Sequence, residues 1–151
     1  MRIEDEIQQS RFADEFVKAD VNLIFTANWL TSKLGAILKP YDVSIQQFNI
    51  LRILKGQHPK PAPLNLITKR MLDKMSNTSR LVDKLYKKGL VVRKICEDNR
   101  RQVDILITDK GLETCDTLTK ILGKARNDEK WLTAEEAAQL SDLLDKFRGK
   151  D

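Results

Sequence analysis

The 151-residue sequence has little of the chemistry on which most enzymes depend. Its one histidine, His58, precedes a proline in the loop "GQHPKPAP" (Gly56 to Pro63). It offers no base–orienter pair to any serine or cysteine, and reads as a solvated loop residue. The two cysteines, Cys96 and Cys115, form no CxxC and have no histidine partner nearby. That excludes the common metal spacings and the dithiol redox motif, and suits a reduced intracellular protein. No Gly-rich phosphate loop is present. Aromatic residues make up only 6% of the chain, too few for an extended platform that stacks single-stranded bases. No apolar run reaches membrane-spanning length, and the polar, acidic start "MRIEDEIQQS" has none of the features of a signal peptide. The expectation is a cytoplasmic protein without catalytic residues, metal, cofactor or membrane partner.

Charge is present, and it is unevenly placed. Between Lys69 and Arg101 there are eleven basic residues against four acids, a local charge of +7. The whole chain carries +5, so everything outside that segment sums to −2. Solvated helix faces are often basic, but an excess confined to one fifth of the chain points toward a polyanionic partner.

The apolar pattern is mostly helical. Residues 12–38 lack proline and have no glycine before Gly35. Phe16, Leu23, Leu30, Leu34 and Ile37 form one stripe; Val17, Val21, Ile24, Phe25 and Trp29 form a second. Together they are wider than one monomer face normally needs, so the helix is either deeply buried or a dimer contact. "KPYDV" breaks it, and Ser44 with Gln47 three residues on forms a capping box for the next helix. Two short helical patterns follow, Leu64 to Leu72 and then Asp73 or Ser76 to Lys88. In the second, Thr78, Leu81, Val82 and Leu85 recur as one buried stripe. Ser76, Arg80, Lys84 and Lys87 line another face, with Asn77 beside its N-terminal end. Gly89 ends the helix. "LVVRKIC" (Leu90 to Cys96) and the alternating "QVDILIT" (Gln102 to Thr108) read as a hairpin with Arg100 and Arg101 near its tip. A helix from Thr108 or Asp109 and a last one announced by Thr133 and Glu136 complete the chain.

A helix gripped by an apolar stripe, with short polar and basic side chains on its other face, suits the major groove of duplex DNA. Ser76, Asn77 and Thr78 are short enough for close approach to the bases, although Thr78 also begins the buried stripe. Arg80 can reach a guanine edge with two hydrogen bonds, while Lys84 and Lys87 are placed for phosphates. An arginine at a hairpin tip can enter the adjacent minor groove. The plainer reading of Arg100 and Arg101 is a solubilising turn, or ion pairs with Glu97, Asp98 or Asp83.

The stretch "SNTSRLVDKLYKKGLVVRKICEDNRRQVDILITDKG" (Ser76 to Gly111) resembles the core of the MarR family of winged helix-turn-helix transcriptional regulators. The family pattern is "LVDKLxxKGLVxR" followed by a wing "DxRxxxxxLTxxG". Here Asn99 stands where the family usually has Asp, and Ile107 replaces the usual leucine. Aligning back from Thr108 puts Arg101 on the family arginine, whereas aligning forward from Asp98 selects Arg100. Which of the two occupies the wing tip, and which braces it, stays open.

The resemblance implies a mostly α fold with a small β-hairpin wing in one domain, residues 1–151. Residues 44–108 would form the winged helix-turn-helix, and residues 12–38 and 109–148 the dimerisation helices. It implies a cytoplasmic homodimer, a repressor meeting half-sites of a pseudo-palindromic operator about one helical turn, ~34 Å, apart. It implies contacts to double-stranded DNA from Ser76, Asn77, Thr78, Arg80, Lys84, Lys87, Arg100 and Arg101. It also implies a small aromatic ligand in a crevice, for which Phe25, Trp29 and Phe48 are candidates. The first long helix has no cysteine, which argues against oxidant sensing of the kind some members use. Two other classes remain as alternatives: a winged-helix module that binds an acidic protein, and an enzyme built on the same helices.

Overall fold

The computed structural model describes residues 1–95, 103–128 and 131–149. Arg100, Arg101 and Cys96 lie outside the described residues. The chain forms two compact units, Met1–Asp116 and Thr117–Asp151, with the boundary inside a helix.

In the first unit a short helix, α1 (Ile3–Glu6), precedes the long α2 (Glu15–Leu38). The sequence pattern contains no sign of α1, which is too short for periodicity. Ile3 is buried, and the Glu4 carboxylate meets Lys18 at 2.6 Å and Arg2 at 3.1 Å. The hydrogen bond from Lys18, first among its causes, holds the Glu4 carboxyl at about 2. α2 begins three residues later than the apolar pattern suggests, because Asp14 caps it by accepting from the Val17 amide at 2.8 Å. It ends in a 3₁₀ turn (Lys39–Tyr41), after which Asp42 adopts a left-handed conformation.

α3 (Ile45–Gln57) opens with the capping box of Ser44 and Gln47 that the sequence announces. α4 (Leu64–Arg70) and α5 (Thr78–Lys87) follow as a helix–turn–helix. Strands β2 (Val91–Ile95) and β3 (Val103–Ile107) pair antiparallel, with Arg93 opposite Ile105. β3 also pairs with a two-residue strand, β1 (Ala62–Pro63), giving the order β1-β3-β2. That third strand is invisible to a periodicity argument because two residues define no period. Pro63 tolerates it as an edge residue, having no amide to donate.

The core of this unit is the meeting of these elements. Ile50, Leu51 and Leu54 of α3, Ile67 of α4, Val82 and Leu85 of α5, Val91 of β2, and Ile105 and Ile107 of β3 are all buried. The alternation of β3 holds for its inner two apolar positions, while Val103, at the outer end, is exposed.

The join between α5, the hairpin and α6 (Asp109–Asp128) is closely fitted. Gly89 takes φ +70°, and the Leu90 amide donates back to the Leu85 carbonyl at 3.0 Å, closing α5. Thr108 Oγ1 donates to the Gly89 carbonyl at 2.8 Å and accepts from the Gly111 amide at 3.0 Å. It therefore caps α6 while tying it to the end of α5. Gly111 has to be glycine for lack of space: a Cβ there would lie 2.2 Å from the Leu90 carbonyl oxygen. The Thr–Gly ending of the wing motif thus has a physical reason.

The second unit holds the rest of α6 and α7 (Ala134–Phe147). Thr133 and Glu136 form the expected capping box for α7, with the Thr133 amide donating to the Glu136 carboxylate at 2.7 Å. α7 has no buried residue; Leu140, Leu143 and Phe147 are exposed.

Gly111→Ala should lower stability by about 1–3 kcal/mol, because the methyl group overpacks against backbone. Urea denaturation measures it, and an unchanged midpoint would show that the join relaxes freely.

Candidate nucleic-acid interface

α5 is amphipathic in the sense a groove-reading helix requires. Its Val82 and Leu85 are buried, while Arg80, Lys84 and Lys87 are exposed. Asn77 caps the helix, its Oδ1 accepting from the Arg80 amide at 3.1 Å. The helix therefore starts at Thr78 rather than at Asp73 or Ser76. Ser76 is half-buried in the turn and Asn77 is exposed at its end. Thr78 departs from the expected contact set: it is 5% exposed, on the inward stripe, and cannot reach a groove from there. The stripe reading of Thr78 prevails over the base-reading one.

Two further side chains fix how α5 is held. Asp83 forms an ion pair with Arg93 of β2, whose guanidinium also lies 5.5 Å from the centre of the Tyr86 ring. The sequence offered Asp83 as a partner for a wing arginine; among the described residues Asp83 pairs with Arg93, and Arg100 and Arg101 lie outside them. Lys88 turns the other way, donating to the Asp42 carbonyl, with its Nζ 3.1 Å from Asp42 Oδ2 and 3.4 Å from Gln47 Oε1. Of the basic residues at the end of α5, Lys84 and Lys87 face solvent and Lys88 serves the fold.

The turn between α4 and α5 is pinned through its backbone. The Leu72 amide donates to Asn49 Oδ1 of α3 at 2.9 Å, and the Met75 amide donates to Asp73 Oδ1 at 2.9 Å. That bond from Met75, with smaller contributions from Ser76 and Gln46, holds the Asp73 carboxyl below the usual carboxylate range. The sequence pattern carries the first helix to Leu72 and begins the second at Asp73 or Ser76; α4 ends at Arg70 and α5 begins at Thr78, so the turn is longer than that pattern implies.

The aromatic residues expected to line a crevice lie on two helices, Phe25 and Trp29 on α2 and Phe48 on α3. Phe48 is 7% exposed, in the core, with Arg52 6.0 Å from its ring centre. Phe25 is half-buried, and Trp29 is exposed with Lys33 5.1 Å from its ring centre. None of the three lines the cavity of about 710 Å³ that lies between α2, α3 and α5. Its walls include the apolar Val43, Ile45 and Leu81 and the basic Lys39, Lys84 and Lys88. Among the described residues, no group of three or more His, Cys, Asp or Glu side chains is placed to hold a metal ion. No described helix is long and apolar enough to cross a membrane.

Known proteins share this geometry. Residues 43–103 match the MarR family. Over that segment the chain is similar to MarR-family proteins. Over 76 residues it is 37% identical to the HTH-type transcriptional regulator Hpr of Bacillus thuringiensis (strain Al Hakam). That match spans half of this chain and 40% of the length of Hpr. The fold resembles a putative MarR-like transcription regulator from Bacillus cereus, with TM-score 0.74, 22% identity, and coverage of 85% of this chain and 91% of that one. A mutant MarR from E. coli complexed with operator DNA superposes with TM-score 0.73 and 25% identity, covering 91% of this chain and 99% of that one. The family's fold is the mostly helical winged helix-turn-helix described above, with α4 and α5 as its helix–turn–helix and β2–β3 as its wing strands.

Asn77→Ala should destabilise the protein by about 1 kcal/mol through loss of the α5 cap, whereas Asn77→Asp should stay within a few tenths of wild type. Thermal melts of the two variants separate a cap from a residue with no structural role, for which Ala and Asp would behave alike.

Proposed function

We propose that this protein is a double-stranded-DNA-binding transcriptional regulator that acts as a homodimer and as a ligand-responsive repressor. The observation that carries the proposal is the exposed row Arg80, Lys84 and Lys87 on a helix whose opposite face is fixed in the core of a MarR-family fold. The operator complex of the E. coli relative supports the same use of the fold. α5 enters the major groove, with Ser76, Asn77 and Arg80 toward base edges and Lys84 and Lys87 toward phosphates. Arg100 and Arg101 supply the wing contact. None of this requires catalysis, and the relatives are named as regulators.

Dimerisation rests on unsatisfied apolar surface. α2 exposes Phe16, Ile24 and Leu30, and α7 exposes Leu140, Leu143 and Phe147. Stripes of this kind on two helices mark a protein interface rather than scattered surface residues. A twofold dimer would present two α5 helices to a pseudo-palindromic operator. For the effector, the cavity between α2, α3 and α5, which none of the three aromatics lines, replaces them as the site. Its apolar wall and the amines of Lys39, Lys84 and Lys88 suit a small anion with an apolar body.

The test is selection of duplexes from a random-sequence pool by the purified protein. Recovery of a pseudo-palindromic consensus is expected; binding with no preference over competitor DNA at moderate salt would favour the protein-binding module instead. On the selected duplex, Lys84→Ala should weaken binding about evenly across sequences and shallow the salt dependence by roughly one unit of slope. Arg80→Ala should instead cost about 1–3 kcal/mol and relax preference at one base position. A slope left unchanged by the first, or a preference left intact by the second, removes that residue from its role.

Leu143 is 64% exposed, so Leu143→Lys should leave folding intact. It should shift sedimentation from dimer toward monomer, since an amine replaces apolar area that association would bury, about 1.5–3 kcal/mol per side chain. A variant that remains dimeric at low micromolar concentration would exclude α7 from the interface.

A further inference from the structure

Within the turn between α4 and α5, one apolar residue points in and two point out. Met71 is buried at 2% exposure, whereas Leu72 is 82% exposed and Met75 is 92% exposed. Such exposure is ordinary on a loose surface loop, but this loop is not loose. The backbone amides of both residues are tied, Leu72 to Asn49 of α3 and Met75 to Asp73. The next residue's amide, that of Ser76, donates to the Asp73 carbonyl at 3.2 Å. The fold therefore holds two large apolar side chains outward on a fixed backbone, and receives no packing in return. A contact surface prepared in this way loses little freedom when a partner arrives.

The surroundings say what kind of partner fits. Lys69, Arg70, Lys74 and Arg80, all exposed, lie close to the two residues in sequence, and the Lys74 amine donates to the Lys69 carbonyl at 2.7 Å. The nearest acid, Asp73, accepts from the Met75 amide within the turn. An apolar protein surface is a poor match for two isolated side chains set among four cations, whereas a polyanion with a small apolar group matches them closely. Duplex DNA has that group in the major groove, the C5-methyl of thymine, and an apolar side chain beside it reads T against the other bases. Met75 lies two residues before the Asn77 cap of α5, and Leu72 five before it.

We propose that Leu72 and Met75 are specificity-determining residues that recognise thymine methyl groups in the major groove next to the site read by Arg80. The proposal rests on the DNA-binding reading above and adds to it a base preference that polar side chains on α5 do not supply. Arg80 reads a guanine edge through hydrogen bonds; Leu72 and Met75 read a methyl group by removing it from water. Methionine suits that task because its unbranched thioether adapts to a neighbour of small size.

The experiment replaces each thymine of the duplex selected by the full-length protein, one at a time, with deoxyuridine. The two bases pair identically and differ only in the methyl group. Competition titrations at one salt concentration compare wild type with Leu72→Ala, Met75→Ala and the double variant. Both side chains are exposed, so these variants should match the wild-type far-ultraviolet circular dichroism spectrum. For wild type, deoxyuridine at one or two positions should weaken binding about fourfold, the value of one buried methyl group. In the variant lacking the responsible side chain, thymine and deoxyuridine should bind alike. The proposal is overturned if no position discriminates in wild type, if the selected site has no thymine, or if the penalty persists undiminished in the double variant. A consensus without any thymine effect removes this inference and leaves the DNA-binding reading standing. Failure to select any sequence removes both.

Discussion

The orientation of α5 depends on a single crowded junction at Gly89, Leu90, Thr108 and Gly111. Gly89 lets the chain leave α5 with a left-handed residue, and the Leu90 amide immediately closes the helix end. Leu90 then contributes its carbonyl to the Thr108 amide at 3.1 Å, so the same residue ends the helix and starts the hairpin ladder. The Thr108 hydroxyl joins the Gly89 carbonyl to the first turn of α6. The Lys110 amine adds a bond to the Lys88 carbonyl at 3.0 Å. These bonds satisfy the carbonyls that a helix end leaves open, in a place where the missing Cβ of Gly111 allows close approach. A helix, a strand pair and a second helix are thereby fixed at one point, with the buried side chains of Leu90 and Ile107 packed beside it.

From that point outward, α5 is held by unlike interactions on its different sides. Val82 and Leu85 bind it to the core through burial, which has no direction of its own. The Arg93 pair with Asp83 does have direction, and it sets the rotation of the helix relative to β2. Asp83 and Arg93 are both half-exposed, so the pair adds little to stability and matters for geometry. Arg93 spends its charge on the fold, as Lys88 does through Asp42. The basic side chains that still face outward from α5 are those spaced along the other face, Arg80, Lys84 and Lys87. The +7 segment of the sequence is thus divided into structural and outward-facing cations, and only the second group is available to a polyanion.

Features governed by local rules were legible in the sequence, and features governed by tertiary approach were not. Ser44 with Gln47 and Thr133 with Glu136 are capping boxes in the chain and in the structure, since a cap involves residues three apart. The stripe from Thr78 to Leu85 marked the buried face at Thr78, Val82 and Leu85, with Leu81 half-buried, and it outweighed the small size of Thr78 as a reason to place that residue at the groove. By contrast, β1 exists because Ala62 comes beside Ile105, forty-three positions along the chain, and no window contains both. The crevice residues were proposed from aromatic type alone. Phe48 went to the core because its neighbours on α3 are apolar on the same side, which the sequence states; the cavity formed elsewhere, between α2, α3 and α5, where elements distant in the chain meet, which it does not. Leu72 and Met75 escaped notice for a related reason. Apolar residues between two helices look like core until the fold shows which of the three has been taken inward.

The cavity also constrains how the proposed regulator can respond to an effector. A ligand changes DNA affinity only by binding the DNA-competent and DNA-free states differently. Lys84 lines the cavity and also belongs to the outward basic row of α5, so its charge can serve an anion inside or a phosphate outside. If that sharing were the whole of the coupling, each protomer would forfeit about one phosphate contact when the ligand binds, and the salt slope would fall by about one unit per protomer. A larger effect would require α5 itself to move. Besides the burial of Val82 and Leu85, movement has to overcome the Asp83–Arg93 pair or the Gly111 junction, which hold the helix on two sides. The half-exposed ion pair is the cheaper of the two to give up, because water can solvate both partners, whereas the junction meets a carbonyl in direct contact. Of these two restraints the Arg93 bond would yield first, and the burial of Val82 and Leu85 limits how far α5 could then turn.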